Sequence, residues 1–230
     1  MSARVLYLIR HGQSDFGWEG DPFASPRGKQ WDPPLSELGR RQAELLAKRL
    51  GVMDLEPFAT YASPLRRATE TAEAFAALAG TDVTVHEELA EAHIGGWEGL
   101  PFEEIVASDP EIMRHLRHQR AIWHRAPGAE GGEAFRARVV EAIEGLLAKH
   151  PHENVVIFAH GGVINAYVGA LLGLHQEMFF LPENTSLHSI DVDGDLRSVR
   201  FLNDVLHLTD PHFFEEGAPI LERTDDPGGP

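Results

Sequence analysis

The chain has 230 residues, 43% hydrophobic and 24% charged, with a formal net charge of -16 and no cysteine. That length supports one sizeable core and is short for two, so a single domain is expected. The negative field repels polyanions, which sets aside nucleic acid and anionic bilayers as partners. The missing thiols exclude disulfides, cysteine nucleophiles and cysteine-based zinc sites.

Met1-Ser2-Ala3-Arg4 leads straight into a short apolar segment, without the long apolar region and small-residue cleavage site of a secretory signal. No apolar run approaches the roughly 20 residues that span a bilayer. The expectation is a cytoplasmic protein with no membrane partner. Val5-Leu6-Tyr7-Leu8-Ile9 reads as a strand buried on both faces, ending abruptly in Arg10-His11-Gly12. Residues 15 to 34 hold Gly, Pro, Asp and two Trp without periodicity, which predicts a long loop bordering a functional site.

Ser36 is placed to cap a helix to about Leu50, with Leu38, Leu45, Leu46 and Leu50 on its buried stripe and Gly51 ending it. Residues 58 to 62 form a short strand, after which Ser63-Pro64 supplies an N-cap and a first-turn proline for a helix through about Leu78. Residues 83 to 86 predict another strand. The glycines of Glu91-Ala92-His93-Ile94-Gly95-Gly96-Trp97-Glu98-Gly99 argue against a regular helix.

Residues 101 to about 124 read as helical and broken at Asp109-Pro110. Phe135, Val139, Ile143 and Leu146 line one face of an amphipathic helix ending near His150-Pro151. Residues 154 to 159 are the next buried strand, and His160-Gly161-Gly162 opens a helix to about Leu172. Asp193-Gly194-Asp195 joins alternating segments 186 to 192 and 196 to 202 into a hairpin. The expected organisation is one domain over 1 to 210, with a helical cap inserted around 100 to 130, and a loose tail over 211 to 230. Strands alternating with helices imply an α/β fold whose mostly parallel sheet is covered on both faces, with the ligand outside the carboxyl ends of the strands.

Two histidines, His11 and His160, each follow a buried strand and precede glycine, so one sheet edge receives both imidazoles. Arg10 precedes one of them and the Arg66-Arg67 turn is nearby in the expected topology. Phosphoryl transfer needs a nucleophile, an acid for the leaving group and positive charge on the phosphoryl oxygens. A neutral imidazole supplies the nucleophile without a metal, and the planar fork of an arginine pairs two nitrogens with a phosphate. Arg10 and Arg67 fit that role, and the N–H groups at Gly12 and Gly161 are further candidate donors.

Leu8-Ile9-Arg10-His11-Gly12-Gln13-Ser14 resembles the R-H-G signature of the histidine phosphatase (phosphoglycerate mutase-like) superfamily. The stretch 32 to 43 is similar to the family's D-x-P-L-[ST]-x-x-G-x-x-Q-A, and 63 to 72 to its S-P-L-x-R-A-x-x-T-A. Glu91 with Gly95 to Gly99, then Gly131-Gly132-Glu133, Ala159-His160-Gly161 and Leu202-Asn203-Asp204 with His207-Leu208 continue the series in the family's order. The resemblance implies a three-layer αβα sandwich and a phosphatase that works without cofactor or metal on a small-molecule phosphomonoester, releasing inorganic phosphate. It implies that His11 is phosphorylated, that Arg10, Arg67 and His160 hold the phosphoryl group, and that Glu91 protonates the leaving oxygen and later activates water.

Mutases of the superfamily typically carry R-H-G-E-S-x-W-N, whereas this chain has Gln13, Phe16 and Gly17. The Asn that would bind a phosphate oxygen is lost, and Ser14 or the long loop would have to compensate. Phosphatase chemistry is therefore preferred over mutase transfer, with a catalytically silent phosphate-binding module as the non-enzyme alternative. A serine esterase is set aside because Phe16 replaces the second glycine of a G-x-S-x-G elbow. A metal hydrolase built on His115, His118 and His124, or on His150 and His152, lacks three ligands on one helical face. Trp18, Trp31 and Trp97 fall in segments expected near the site, where they would shape an apolar leaving-group pocket, while Trp123 lies in the expected cap. A homodimer is the base-rate expectation for assembly.

Overall fold

The computed structural model describes residues 4–17, 30–117 and 125–210. Within them a sheet runs in the order β3-β2-β4-β1-β5-β6, formed by β1 (Arg4–Arg10), β2 (Phe58–Ala62), β3 (Thr84–Val85), β4 (Asn154–Ala159), β5 (Leu187–Asp193) and β6 (Leu196–Asp204). The β1–β4, β2–β4 and β2–β3 pairs are parallel, and β1–β5 and β5–β6 antiparallel. The mostly parallel half is thus joined to an antiparallel hairpin, whose turn Gly194-Asp195 uses Gly194 at φ 56°, a conformation that costs glycine nothing.

The continuous apolar run of β1 is explained by its neighbours on both faces. Leu6 and Leu8 pack with Phe135, Val139 and Ile143 of α5 (Gly132–Lys149) and Ile164 and Tyr167 of α6 (Gly161–Leu171). Val5, Tyr7 and Ile9 point the other way, into Leu46 and Leu50 of α1 (Glu37–Gly51) and Phe75 of α2 (Arg66–Ala79). Side chains alternate across a strand, so this division makes the αβα layering. Each fully buried Leu or Ile contributes about 1.5–3 kcal/mol relative to exposure.

α3 (Phe102–Ser108) and α4 (Ile112–Arg117) are split at Asp109-Pro110 as expected. Trp97, Ile105, Ile112 and Ala126 form a small apolar cluster there, with Met178 packed against it. Arg125 clips the two helices, donating to Asp109 from Nη2 (2.7 Å) and meeting His115 Nε2 through Nη1 (2.8 Å). Residues 18–29, 118–124 and 211–230, with Trp18, His118, Trp123, His124 and the expected tail, lie outside the described residues.

One helix start departs from expectation. α2 begins at Arg66 and Ser63 does not cap it, because its Oγ is 2.6 Å from His160 Nε2. The cap comes instead from the loop before α1, where Asp32 Oδ1 accepts the Arg66 N–H at 2.7 Å. A carboxylate at a helix start satisfies an orphan donor and complements the helix dipole.

Candidate active site

The carboxyl ends of the parallel strands deliver the polar residues to one edge. Arg10 is in register with Ala159, and the His11 N–H donates to the Ala159 carbonyl at 3.0 Å, so His11 and His160 leave adjacent strands side by side. Their rings are 5.1 Å apart between centroids, tilted by 58°. β2 delivers Ser63, whose N–H donates to Phe158 O, and Arg67 follows in the first turn of α2. Glu91 arrives from the segment after β3 and reaches α6, where its Oε2 accepts the Gly162 N–H at 2.9 Å.

The protonation pattern of His11 follows from its partners. Nδ1 lies 2.7 Å from the Gly12 carbonyl oxygen, which only accepts, so Nδ1 carries the hydrogen. Nε2 therefore holds the lone pair, and it accepts from Arg67 Nε at 3.3 Å. Burial, then Arg67 and Arg10, hold the His11 pKa well below the ordinary imidazole value. Burial and the same cations, with His11, do so for His160. Both rings are neutral at pH 7, with His11 only 6% exposed and His160 fully buried.

Arg10 and Arg67 bring positive charge against this lone pair. Arg67 Nη1 donates to the Trp31 carbonyl at 3.2 Å, and Arg10 Nη1 donates to the Pro182 carbonyl. Arg10 Nε and His160 Nδ1 are buried without a protein partner among the described residues. Buried polar atoms are rarely left so, and both belong to residues expected to hold an oxyanion.

Glu91 is largely buried, and burial raises its pKa above the ordinary carboxylate value. The Gly162 and Ala92 N–H groups and the two arginines oppose that rise. Its position depends on a missing side chain, because a Cβ on Gly162 would sit 2.1 Å from Glu91 Oε1 and 2.9 Å from Cδ. Gly162→Ala is expected to displace the carboxyl while leaving the fold intact, since alanine favours a helix over glycine by about 1 kcal/mol. Hydrolysis of alkyl phosphates should fall about 100-fold, as for loss of a general acid. Thermal melting beside steady-state rates checks this; an unchanged rate would show that the Glu91 position is not critical.

The remaining sequence candidates divide. Gly161 opens α6, and among the described residues its N–H has no protein acceptor, whereas the Gly12 N–H, expected to face an anion, donates to Thr71 Oγ1 at 3.1 Å. Ser14 is buried and its backbone bridges to Leu35. Gln13 Oε1 accepts from Ser36 Oγ at 2.7 Å and ties this loop to the cap of α1. The Gly17 N–H turns back to Asp15 Oδ1. Trp31 stacks on Phe16 with centroids 5.3 Å apart, and Trp97 is packed into the α3–α4 cluster. His115 faces Arg125, and His150 faces Tyr61 and Glu153.

Sequence reasoning missed several participants. Gln30 Nε2 donates to the Glu91 carbonyl at 2.8 Å, and Glu98 binds the Trp31 N–H. The His11 carbonyl accepts from the Thr185 N–H (3.1 Å) and Asn184 Nδ2 (3.2 Å). Thr185 Oγ1 lies 3.0 Å from Nε2 of His207. That last contact gives the Leu202-Asn203-Asp204 and His207-Leu208 motif a structural place behind His11.

Among the described residues no helix is long and apolar enough to cross a membrane. The family model described as the histidine phosphatase superfamily (branch 1) matches residues 6–205. The chain is 37% identical over 183 residues to the glucosyl-3-phosphoglycerate phosphatase of Mycobacterium tuberculosis, covering 76% of this chain and 78% of that one. It is 30% identical over 211 residues to phosphoserine phosphatase 1 of Hydrogenobacter thermophilus, covering 88% and 93%. Among solved structures, Bacillus stearothermophilus YhfR superposes with a TM-score of 0.75 at 32% identity, covering 89% of this chain and 99% of that one.

Proposed function

The chain belongs to the histidine phosphatase superfamily (branch 1), and from that premise we propose that it hydrolyses small phosphomonoesters through a phosphohistidine on His11 Nε2. The observation that carries this reading is the fixed tautomer: Gly12 O holds the proton on Nδ1, and Arg67 meets the lone pair on Nε2. Nε2 attacks phosphorus while the ester P–O bond breaks, and the Glu91 carboxyl gives its proton to the leaving oxygen. Water then attacks the phosphorus, Glu91 takes a proton from it, and the P–N bond breaks to free inorganic phosphate and His11. Arg10, Arg67 and His160 hold the phosphoryl oxygens throughout.

Ser14 and Gly161 are proposed as further ligands of the phosphoryl group. The α3–α4 segment is read as a cap within a single catalytic domain. Met178 connects the two, packing against the α3–α4 cluster with its Cε 3.9 Å from the place of a Cβ on Gly161. No step calls on a metal or cofactor, so turnover should persist in EDTA. The relatives named for phosphatase activity support hydrolysis as the reaction class.

The test is to mix the protein with 32P-labelled phosphoserine, quench parallel samples in alkali and in acid, and map the labelled peptides. A phosphoramidate on His11 survives alkali and is lost in acid. Turnover without any label, or an acid-stable label on Ser14, would overturn the proposal.

A further inference from the structure

Glu98 is an acid beside the site that the hydrolytic cycle does not use. It closes the short 3-10 turn Gly95–Trp97, and burial raises its pKa although the Trp31 and Ile94 N–H groups oppose this. Its carboxylate joins two segments distant in sequence: Oε1 accepts the Ile94 N–H and Oε2 the Trp31 N–H, each at 2.9 Å. The other main-chain polar group of Trp31, in the next peptide unit, leads to the reaction centre. Its carbonyl accepts from Arg67 Nη1 at 3.2 Å, and Arg67 Nε meets His11 Nε2 at 3.3 Å.

The turn carrying Glu98 is itself well anchored. The Gly96 N–H donates to Pro127 O at 2.9 Å, and Gly95, at φ 60°, approaches residues 127 to 129 so closely that a Cβ would lie 2.4 Å from Pro127 O. On the far side Asp32, next to Trp31, binds the N–H of Arg66, the neighbour of Arg67. A guanidinium is planar, so fixing Nη1 also fixes the direction of Nε, and a long side chain otherwise free to change rotamer is held in one.

We propose that Glu98 is a positioning residue that aims Arg67 at the phosphoryl group by holding the Trp31 main chain in place. This rests on the assignment of Arg67 as a phosphate ligand. Glu98→Gln keeps the shape but turns an amide donor toward one of the two N–H groups, so that bond is lost and a donor faces a donor.

The test is a double-mutant cycle of Glu98→Gln with Arg67→Ala. It is read as kcat/KM on p-nitrophenyl phosphate and as the dissociation constant of inorganic phosphate by calorimetry. Glu98→Gln alone is expected to lower kcat/KM and weaken phosphate binding about tenfold, with melting close to wild type, whereas in the Arg67→Ala background it should change either by less than about twofold. Equal losses in both backgrounds would overturn the proposal, as would a loss confined to thermal stability. Should Glu98→Gln fail to fold, Glu98→Asp, which keeps the charge but withdraws it by one methylene, carries the same cycle. A wild type that binds phosphate but turns nothing over would defeat the phosphatase assignment alone, because the binding cycle still reports the coupling.

Discussion

Replacing His11 with alanine is expected to lower phosphomonoester turnover by at least about 10^4-fold, because the imidazole supplies the bond to phosphorus and not only its surroundings. The neighbouring His160 is a poor substitute. Its centroid is 5.1 Å away, and its Nε2 is engaged by Ser63 Oγ at 2.6 Å. The change should leave the fold standing, since the backbone of residue 11 keeps its bonds to Ala159 and Thr185. The lost Gly12 contact should cost about 1 kcal/mol. The measurement is p-nitrophenyl phosphate hydrolysis in EDTA from pH 5 to 8, with melting curves of both proteins. Activity above about 1% of wild type would mean that the phosphoryl group is not carried on residue 11.

The wild-type profile should also report the neutral nucleophile. Burial and the two arginines push the His11 pKa down, so its lone pair survives as pH falls through the ordinary imidazole range. An acidic limb near pH 6.5 in the wild-type profile would contradict that environment.

The sequence exposed those parts of the fold that local chemistry dictates. Val5 to Ile9 could only be a strand covered on both faces, Ser36 caps α1 as its position demanded, and Gly194 marks the hairpin turn. What stayed hidden depends on distant pairing. Ser63-Pro64 carries a strong local helix-start pattern, yet the hydroxyl of Ser63 is taken by His160 across the sheet, and Asp32 caps the helix from another loop. Thr71 is the T of the family's S-P-L-x-R-A-x-x-T-A stretch, but nothing in that pattern names its partner. Only the close packing of α2 against the end of β1 shows that its hydroxyl takes the Gly12 N–H.

The site divides in the same way. His11, His160, Arg10 and Arg67 were visible because each ends or follows a strand, or lies in the first turn of a helix, at an edge where polar residues are otherwise unexpected. Glu91 is one of 36 acidic residues, and it became a candidate only through its family position. Its distinguishing feature is a carboxylate held against the Gly162 N–H, and no local pattern encodes that. Glu98 needed the structure for the same reason: its partners at 31 and 94 belong to different segments.

Glu91→Gln is expected to separate substrates by their need for a proton. An alkoxide is a poor leaving group and p-nitrophenolate a good one, so kcat/KM should fall about 10^3-fold for phosphoserine and less than about tenfold for p-nitrophenyl phosphate. That ratio includes only steps through formation of the phosphoenzyme, which isolates the acid role from the later activation of water. The second role appears separately. If Glu91 also draws the proton from the attacking water, the variant should release a burst of about one p-nitrophenol per site and then turn over slowly. The pH dependence has a definite sign. Burial raises the carboxyl pKa, the acid form is lost as pH rises through it, and kcat/KM for phosphoserine should decline on that alkaline side, a limb missing from the variant. Equal losses on both substrates, or an alkaline limb that persists in Glu91→Gln, would remove Glu91 from the acid role and require another proton donor within reach of the leaving oxygen.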